Sequence, residues 1–64
     1  MQEELEAMDR FWEETLRDLK RPWENRRNAM GYFVGVLERE DSTPERRKRA
    51  ENAIKHFQAE AGAT

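Results

Sequence analysis

The chain has 64 residues, a net charge of −2 and no cysteine, and 41% of its residues are charged. A chain of this length forms one domain at most and buries only about 60% of its unfolded surface. No disulfide stabilises it, and no apolar run approaches the ~18 residues that suggest a membrane span. Residues 1–6 are acidic and lack the basic-then-apolar order of a signal peptide. We therefore expect a single cytoplasmic domain over residues 1–64.

Charge alternates in blocks along the chain. Residues 1–18 carry a net charge of −5, residues 19–30 carry +3, residues 31–45 carry −3 and residues 46–55 carry +4. Antiparallel helices that neutralise one another explain this pattern. The alternative is that the acidic first helix docks on a basic segment of a second copy. Leu, Ile, Val and Phe total only ten residues, which is little for a core, so we expect a homo-oligomer, most simply a dimer.

The first predicted helix covers about residues 2–20. Its apolar side chains recur at intervals of three and four residues, which is the spacing of one helix face. This face consists of Leu5, Met8, Trp12, Thr15 and Leu19, with Phe11 and Leu16 flanking it. Pro22 has no backbone N–H and pushes Arg21 out of the α region. The helix therefore stops or kinks before Pro22, and we favour a short break.

The second predicted helix covers about residues 22–39. Its apolar residues extend around more than one side, which indicates burial on several sides. It also contains two glycines one turn apart, each of which costs up to ~1 kcal/mol relative to alanine. A close helix–helix crossing would explain them. The predicted oligomer interface consists of Trp12, Met30, Gly31, Phe33, Val34, Gly35 and Leu37.

The third predicted helix covers about residues 44–61. Thr43 as N-cap with Pro44 in the first helical position is a strong start signal. Ser42 with Glu45 three residues later is an alternative capping box. The inner face of this helix is expected to contain Ala50, Ala53, Ile54, Phe57 and Ala61. The sequence thus predicts an all-α fold of three helices, completed by homodimerisation.

The start of the third helix breaks a local rule. Arg46, Arg47, Lys48 and Arg49 crowd its first turns, although cations at a helix N-terminus are unfavourable. A solvated cluster, an acidic protein partner and nucleic acid each account for them. A second basic segment surrounds a tryptophan, and Trp and Arg are common interface anchors. The predicted partner-binding surface combines both segments: Lys20, Arg21, Trp23, Arg26, Arg27, Arg46, Arg47, Lys48 and Arg49.

The sequence favours neither catalysis nor metal binding. His56 is the single histidine and there is no cysteine, so the usual ligands of a metal site are missing. The hydroxyls of Ser42 and Thr43 are better explained as helix caps than as nucleophiles. We also expect so small a chain to lack a pocket of several hundred Å³. We predict no enzymatic activity, no metal and no cofactor.

Three functions remain compatible with these features. The first is a regulatory or inhibitory adaptor that binds an acidic protein surface through its basic and aromatic residues. The second is a dimeric regulator that contacts nucleic-acid phosphates with the same cations, although the isoelectric point of about 5.4 argues against a dedicated nucleic-acid binder. The third is a purely structural homo-oligomer. We rank them in that order.

Overall fold

The computed structural model describes residues 2–62. Three helices account for most of this range: α1 (Gln2–Arg17), α2 (Trp23–Glu38) and α3 (Pro44–Gly62). No strand occurs in the described part of the chain. The all-α, three-helix prediction is confirmed.

The connection between α1 and α2 is a true break. The helix ends at Arg17, three residues earlier than predicted, and Pro22 occupies the N-cap position of α2 with φ −55° and ψ 145°. The side chain of Asp18 accepts a hydrogen bond from the backbone N–H of Lys20 at 3.0 Å. The backbone carbonyl of Asp18 accepts a second hydrogen bond, from the backbone N–H of Arg21 at 3.1 Å. These bonds satisfy the backbone of the turn before the proline, so the helix stops rather than kinks.

The connection between α2 and α3 decides which residue caps α3. Thr43 is the N-cap, because its Oγ1 accepts a hydrogen bond from the backbone N–H of Arg46 at 3.2 Å. The hydroxyl of Ser42 instead donates to the carbonyl of Val36 at 2.6 Å and is buried. Ser42 therefore anchors the turn to α2, and the alternative capping box does not form.

The helices run up, down and up, so that α1 and α3 are parallel. Asp9 of α1 pairs with Arg46 of α3, and Glu13 pairs with Arg49 one turn further along both helices. The antiparallel α2 places Arg26 beside the carbonyl of Leu16, at the end of α1. The described helices thus meet in a register set largely by charged side chains.

The core is small. Its buried apolar residues are Leu16, Ala29, Phe33, Val36, Ala50, Ala53 and Phe57. On α3 the predicted inner face is confirmed for Ala50, Ala53 and Phe57, with Ile54 half-buried beside the core, but the prediction is wrong for Ala61, which is exposed. On α1 the prediction is wrong for most of the face: Leu5, Met8 and Leu19 are exposed, whereas Leu16 is fully buried. None of the helices within residues 2–62 is long and apolar enough to cross a membrane.

Candidate functional site

The two predicted basic segments lie at opposite ends of the molecule. The segment around Trp23 lies at the start of α2, and the cations of α3 lie beside the end of α2. A helix of 16 residues, such as α2, is about 24 Å long. The expectation that both segments form one contact surface is therefore wrong, because α2 separates them.

Arg46 is a structural residue. Its Nε lies 2.9 Å from Oδ2 of Asp9, and its terminal nitrogen lies 3.2 Å from Oδ1. The hydroxyl of Tyr32 donates to the same carboxylate at 2.5 Å. Asp9 is only 2% exposed, and the Arg46 side chain is 16% exposed. This triad joins all three helices and removes Arg46 from the predicted partner-binding surface.

The triad shifts the pKa values of its members. Burial alone would raise the pKa of Asp9, but the hydrogen bonds from Arg46 and Tyr32 and the positive charge of Arg46 outweigh it and hold the pKa below its ordinary value. Burial and the hydrogen bond to Asp9 raise the pKa of Tyr32. The hydrogen bond to Asp9 raises the pKa of Arg46. At neutral pH the triad contains an ion pair and a neutral phenol.

Two other cations of this cluster also have contacts within the chain. Arg47 donates to the carbonyls of Arg39 and Glu40 at 3.0 and 3.3 Å, where the backbone leaves α2. Such bonds satisfy carbonyls that have no helical partner. Arg49 lies 3.3 Å from Glu13. Within residues 2–62, the side chain of Lys48 makes no hydrogen bond or ion pair. Tertiary contacts thus explain most of the cluster.

Arg26 does not belong to an exposed surface either. It is buried, and its Nε donates to the carbonyl of Leu16 at 2.9 Å while its terminal nitrogen pairs with Glu60. The hydrogen bond from Arg26 holds the pKa of Glu60 below its ordinary value. The guanidinium carbon lies 5.8 Å from the centre of the Trp23 ring and 5.7 Å from that of Phe57. Arg26 therefore packs against the rings of Trp23 and Phe57 from inside the molecule.

The remaining residues of the first basic segment form an exposed surface, which we call the Trp23 patch: Lys20, Arg21, Trp23 and Arg27. Trp23 is 50% exposed, and its ring stacks on Phe57 at a centroid distance of 4.7 Å. Arg21 lies 3.6 Å from Asp18. The side chains of Lys20 and Arg27 make no hydrogen bond or ion pair with other described residues. The patch presents a fixed aromatic ring beside free positive charges.

The predicted oligomer interface is only partly available. Phe33 is buried in the core, so its assignment to an interface is wrong. Trp12, Met30, Val34, Gly35 and Leu37 are half-buried and Gly31 is exposed. A Cβ added at Gly31 or Gly35 would meet no atom within 4 Å. The glycines therefore lie at no close crossing within the chain.

A groove runs between the first half of α1 and the start of α3. Its volume is about 650 Å³, so the expectation that the chain lacks such a concavity is wrong. Both acidic and basic side chains line it, and its lining includes the Asp9–Arg46 pair. Thr43 also lines it, but its hydroxyl caps α3. The groove offers no nucleophile with a neighbouring base, and no cluster of three metal-ligating side chains occurs within residues 2–62.

The sequence prediction missed Asp9 and Tyr32. A signal for Asp9 was present: it lies three residues before Trp12 and seven before Leu16, on the side of α1 that faces the core. An acid at such a position predicts a buried cationic partner.

Comparison of the chain with protein-family models, with curated proteins and with solved structures gives no match.

Proposed function

We propose that this chain is a small non-enzymatic regulator or inhibitor that acts in the cytoplasm by binding an acidic surface of a protein partner. The Trp23 patch is the proposed contact surface. The observation that carries the proposal is the half-exposed Trp23 ring, which Phe57 and Arg26 hold from below. A ring that is already ordered loses little entropy when it binds, and tryptophan is the residue type most enriched among interface anchors.

Charge supports an acidic partner. Lys20 and Arg27 have no acidic partner within residues 2–62, so neutralising them on binding breaks no internal ion pair. The cations around Trp23 attract an acidic surface over roughly 10 Å at 0.1 M salt. They would increase the association rate, while Trp23 would provide the apolar anchor.

A protein partner fits this patch better than nucleic acid does. With Arg26 and Arg46 engaged inside the molecule, three of the predicted cations remain near Trp23, and the other three lie at the far end of α2. Proteins that bind nucleic acid through phosphates generally concentrate cations on one face. Nucleic acid remains an outcome of the test.

The test compares two charge reversals of equal size. Wild-type protein, Arg27→Glu and Lys48→Glu are immobilised and exposed to extract of the cells that produce the chain, with and without nuclease treatment. Captured proteins are then purified and their binding is measured directly at two salt concentrations. Arg27→Glu should abolish capture, whereas Lys48→Glu, at the opposite end of α2, should retain it.

Two outcomes would contradict the proposal. If a purified partner binds Arg27→Glu as tightly as wild type, the Trp23 patch is not the contact surface. If nuclease treatment removes all binding and the affinity for bulk DNA or RNA falls linearly on a log–log plot against salt, the partner is nucleic acid.

We also propose that the chain self-associates. The specific observation is that four large apolar side chains on α1 or directly after it are exposed: Leu5, Met8, Phe11 and Leu19. The chain exposes 5046 Å², whereas a typical monomer of 7.7 kDa exposes about 4,300 Å². Sedimentation equilibrium at micromolar to millimolar concentration tests this proposal, and a 7.7 kDa species throughout would contradict it.

A further inference from the structure

One flank of α1, next to Trp12, is an apolar face that no other described element covers. Met8 is 47% exposed and Phe11 is 53% exposed, three residues apart on the same side of the helix. The edge of Phe11 contacts Trp12 at a centroid distance of 5.2 Å, and Trp12 stacks on Tyr32. The face is thus continuous with the aromatic side chains that join α1 to α2.

The two ends of α1 differ in charge: its start carries only acidic side chains, whereas its end carries both signs, with Glu13, Glu14 and Asp18 beside the cations. Its first turn contains Glu3 and Glu4, and its last turn contains Arg17. Lys20 and Arg21 follow directly and are exposed. Two such helices in parallel would bring like charges together. In an antiparallel arrangement the acidic start of each helix lies near Lys20 and Arg21 at the end of the other, and the two helix dipoles also oppose each other favourably.

The exposed area fits an interface of ordinary size. The chain exposes 5046 Å², about 700 Å² more than a typical monomer of its mass. A standard stable interface buries about 800 Å² on each partner. A second copy that covers this flank of α1 would therefore bring the exposed surface of each chain close to the typical value.

From these observations we infer that two copies of the chain pair through α1, antiparallel and about a two-fold axis near Phe11 and Trp12. This inference rests on the proposed self-association and specifies its surface. Met8 and Phe11 pack against the same helix of the second copy. Glu4 lies beside Lys20 of the partner subunit, and two-fold symmetry repeats this pair at the other end. The interface lies on α1 rather than on the face of α2 that the sequence predicted.

The pairing leaves part of the Trp23 patch free. Arg27 precedes Tyr32 by five residues, so the two side chains point about 140° apart on α2. Tyr32 faces α1, through its contacts with Asp9 and Trp12, and Arg27 therefore points away from it. Lys20 and Arg21 lie at the boundary between the α1 interface and the Trp23 patch.

The first test replaces apolar residues of the face. Met8→Glu and Phe11→Glu are compared with Gln58→Glu, an equal charge change at an exposed position of α3. Each α1 variant should raise the dimer dissociation constant by about 30-fold or more, the effect of losing one interface anchor. Circular dichroism should show unchanged helix content, because both side chains are exposed. A dimer that tolerates both changes overturns the inference, whereas a wild-type monomer overturns self-association itself.

The second test addresses the antiparallel register. Glu4→Lys and Lys20→Glu should each weaken the dimer, and the double variant should restore it, because residue 4 of each copy lies beside residue 20 of the other. The double variant has the wild-type net charge, so recovery reports position rather than total charge. A double variant that dimerises no better than the single variants overturns the register.

Discussion

Replacing Arg46 with methionine leaves the buried carboxylate of Asp9 without its cation. Breaking a buried ion pair by removing one partner costs about 3–5 kcal/mol. The Arg46 side chain is 16% exposed, and Tyr32 still donates to Asp9, so we expect the lower end, about 3 kcal/mol. A domain of this size has a free energy of unfolding of roughly 3–10 kcal/mol. The melting temperature should therefore fall by about 12–24 °C.

The loss should depend on pH in a way that a packing defect would not. In the wild type the pKa of Asp9 is lower in the folded state, so its contribution is present above the unfolded pKa of about 3.9 and is lost as the pH falls through the folded value. In Arg46→Met, burial prevails and raises the folded pKa. The variant should therefore regain stability as the pH falls from neutral toward the unfolded pKa of about 3.9, because Asp9 becomes neutral.

The assay is urea unfolding followed by circular dichroism at several pH values. Arg49→Met is the matched control, because Arg49 also pairs with an α1 carboxylate, Glu13, but both side chains are partly exposed. Exposed pairs contribute about 0–1 kcal/mol. A loss below 1 kcal/mol in Arg46→Met, equal to that of the control, would refute the assignment of Asp9 and Arg46 as a buried pair.

Three further changes have expected outcomes. Gly31→Ala and Gly35→Ala should each raise the free energy of unfolding of the monomer by about 0.5–1 kcal/mol, since the new methyl group meets no atom within 4 Å; a lower melting temperature would reveal a contact that the isolated chain lacks. Lys48→Gln should stabilise α3 by a few tenths of a kcal/mol by relieving the helix dipole, whereas Arg47→Gln should destabilise the protein because it loses its bonds to the end of α2; equal effects in thermal melts would contradict this distinction. Wild-type stability in urea should decline below about pH 4 as Asp9 is protonated, and Asp9→Asn should flatten that decline.

Local chemistry accounts for what could be predicted about the helices. Pro22 and the Thr43–Pro44 pair act on their own backbone neighbours, so the break and the start of α3 follow from the sequence. The end of α1 was predicted three residues too late, because bonds from the turn to Asp18 end the helix before the proline does. Such bonds depend on one side-chain conformation, which periodicity does not report.

The direction in which α1 faces was not predictable from apolar spacing. Its apolar residues cover a wide arc, and the core takes Leu16 and the polar Asp9 while Met8 remains exposed. That choice depends on where Tyr32 and Arg46 lie in other helices. A stripe of apolar residues shows that a helix has a preferred side, but it does not show which part of a wide stripe its neighbours will cover.

The sequence alone determined that this chain forms three helices, where they begin, and that cations crowd the start of the third. Those features depend on residues that are close together in the sequence, and the local backbone geometry fixes the distances between such residues. Only the tertiary structure decided that Arg46 and Arg26, which the sequence placed on a partner-binding surface, are internal. The partners of these side chains lie far away in sequence, with Asp9 37 positions from Arg46 and Glu60 34 positions from Arg26. Whether a cation is structural or free depends on whether folding brings a carboxylate to it.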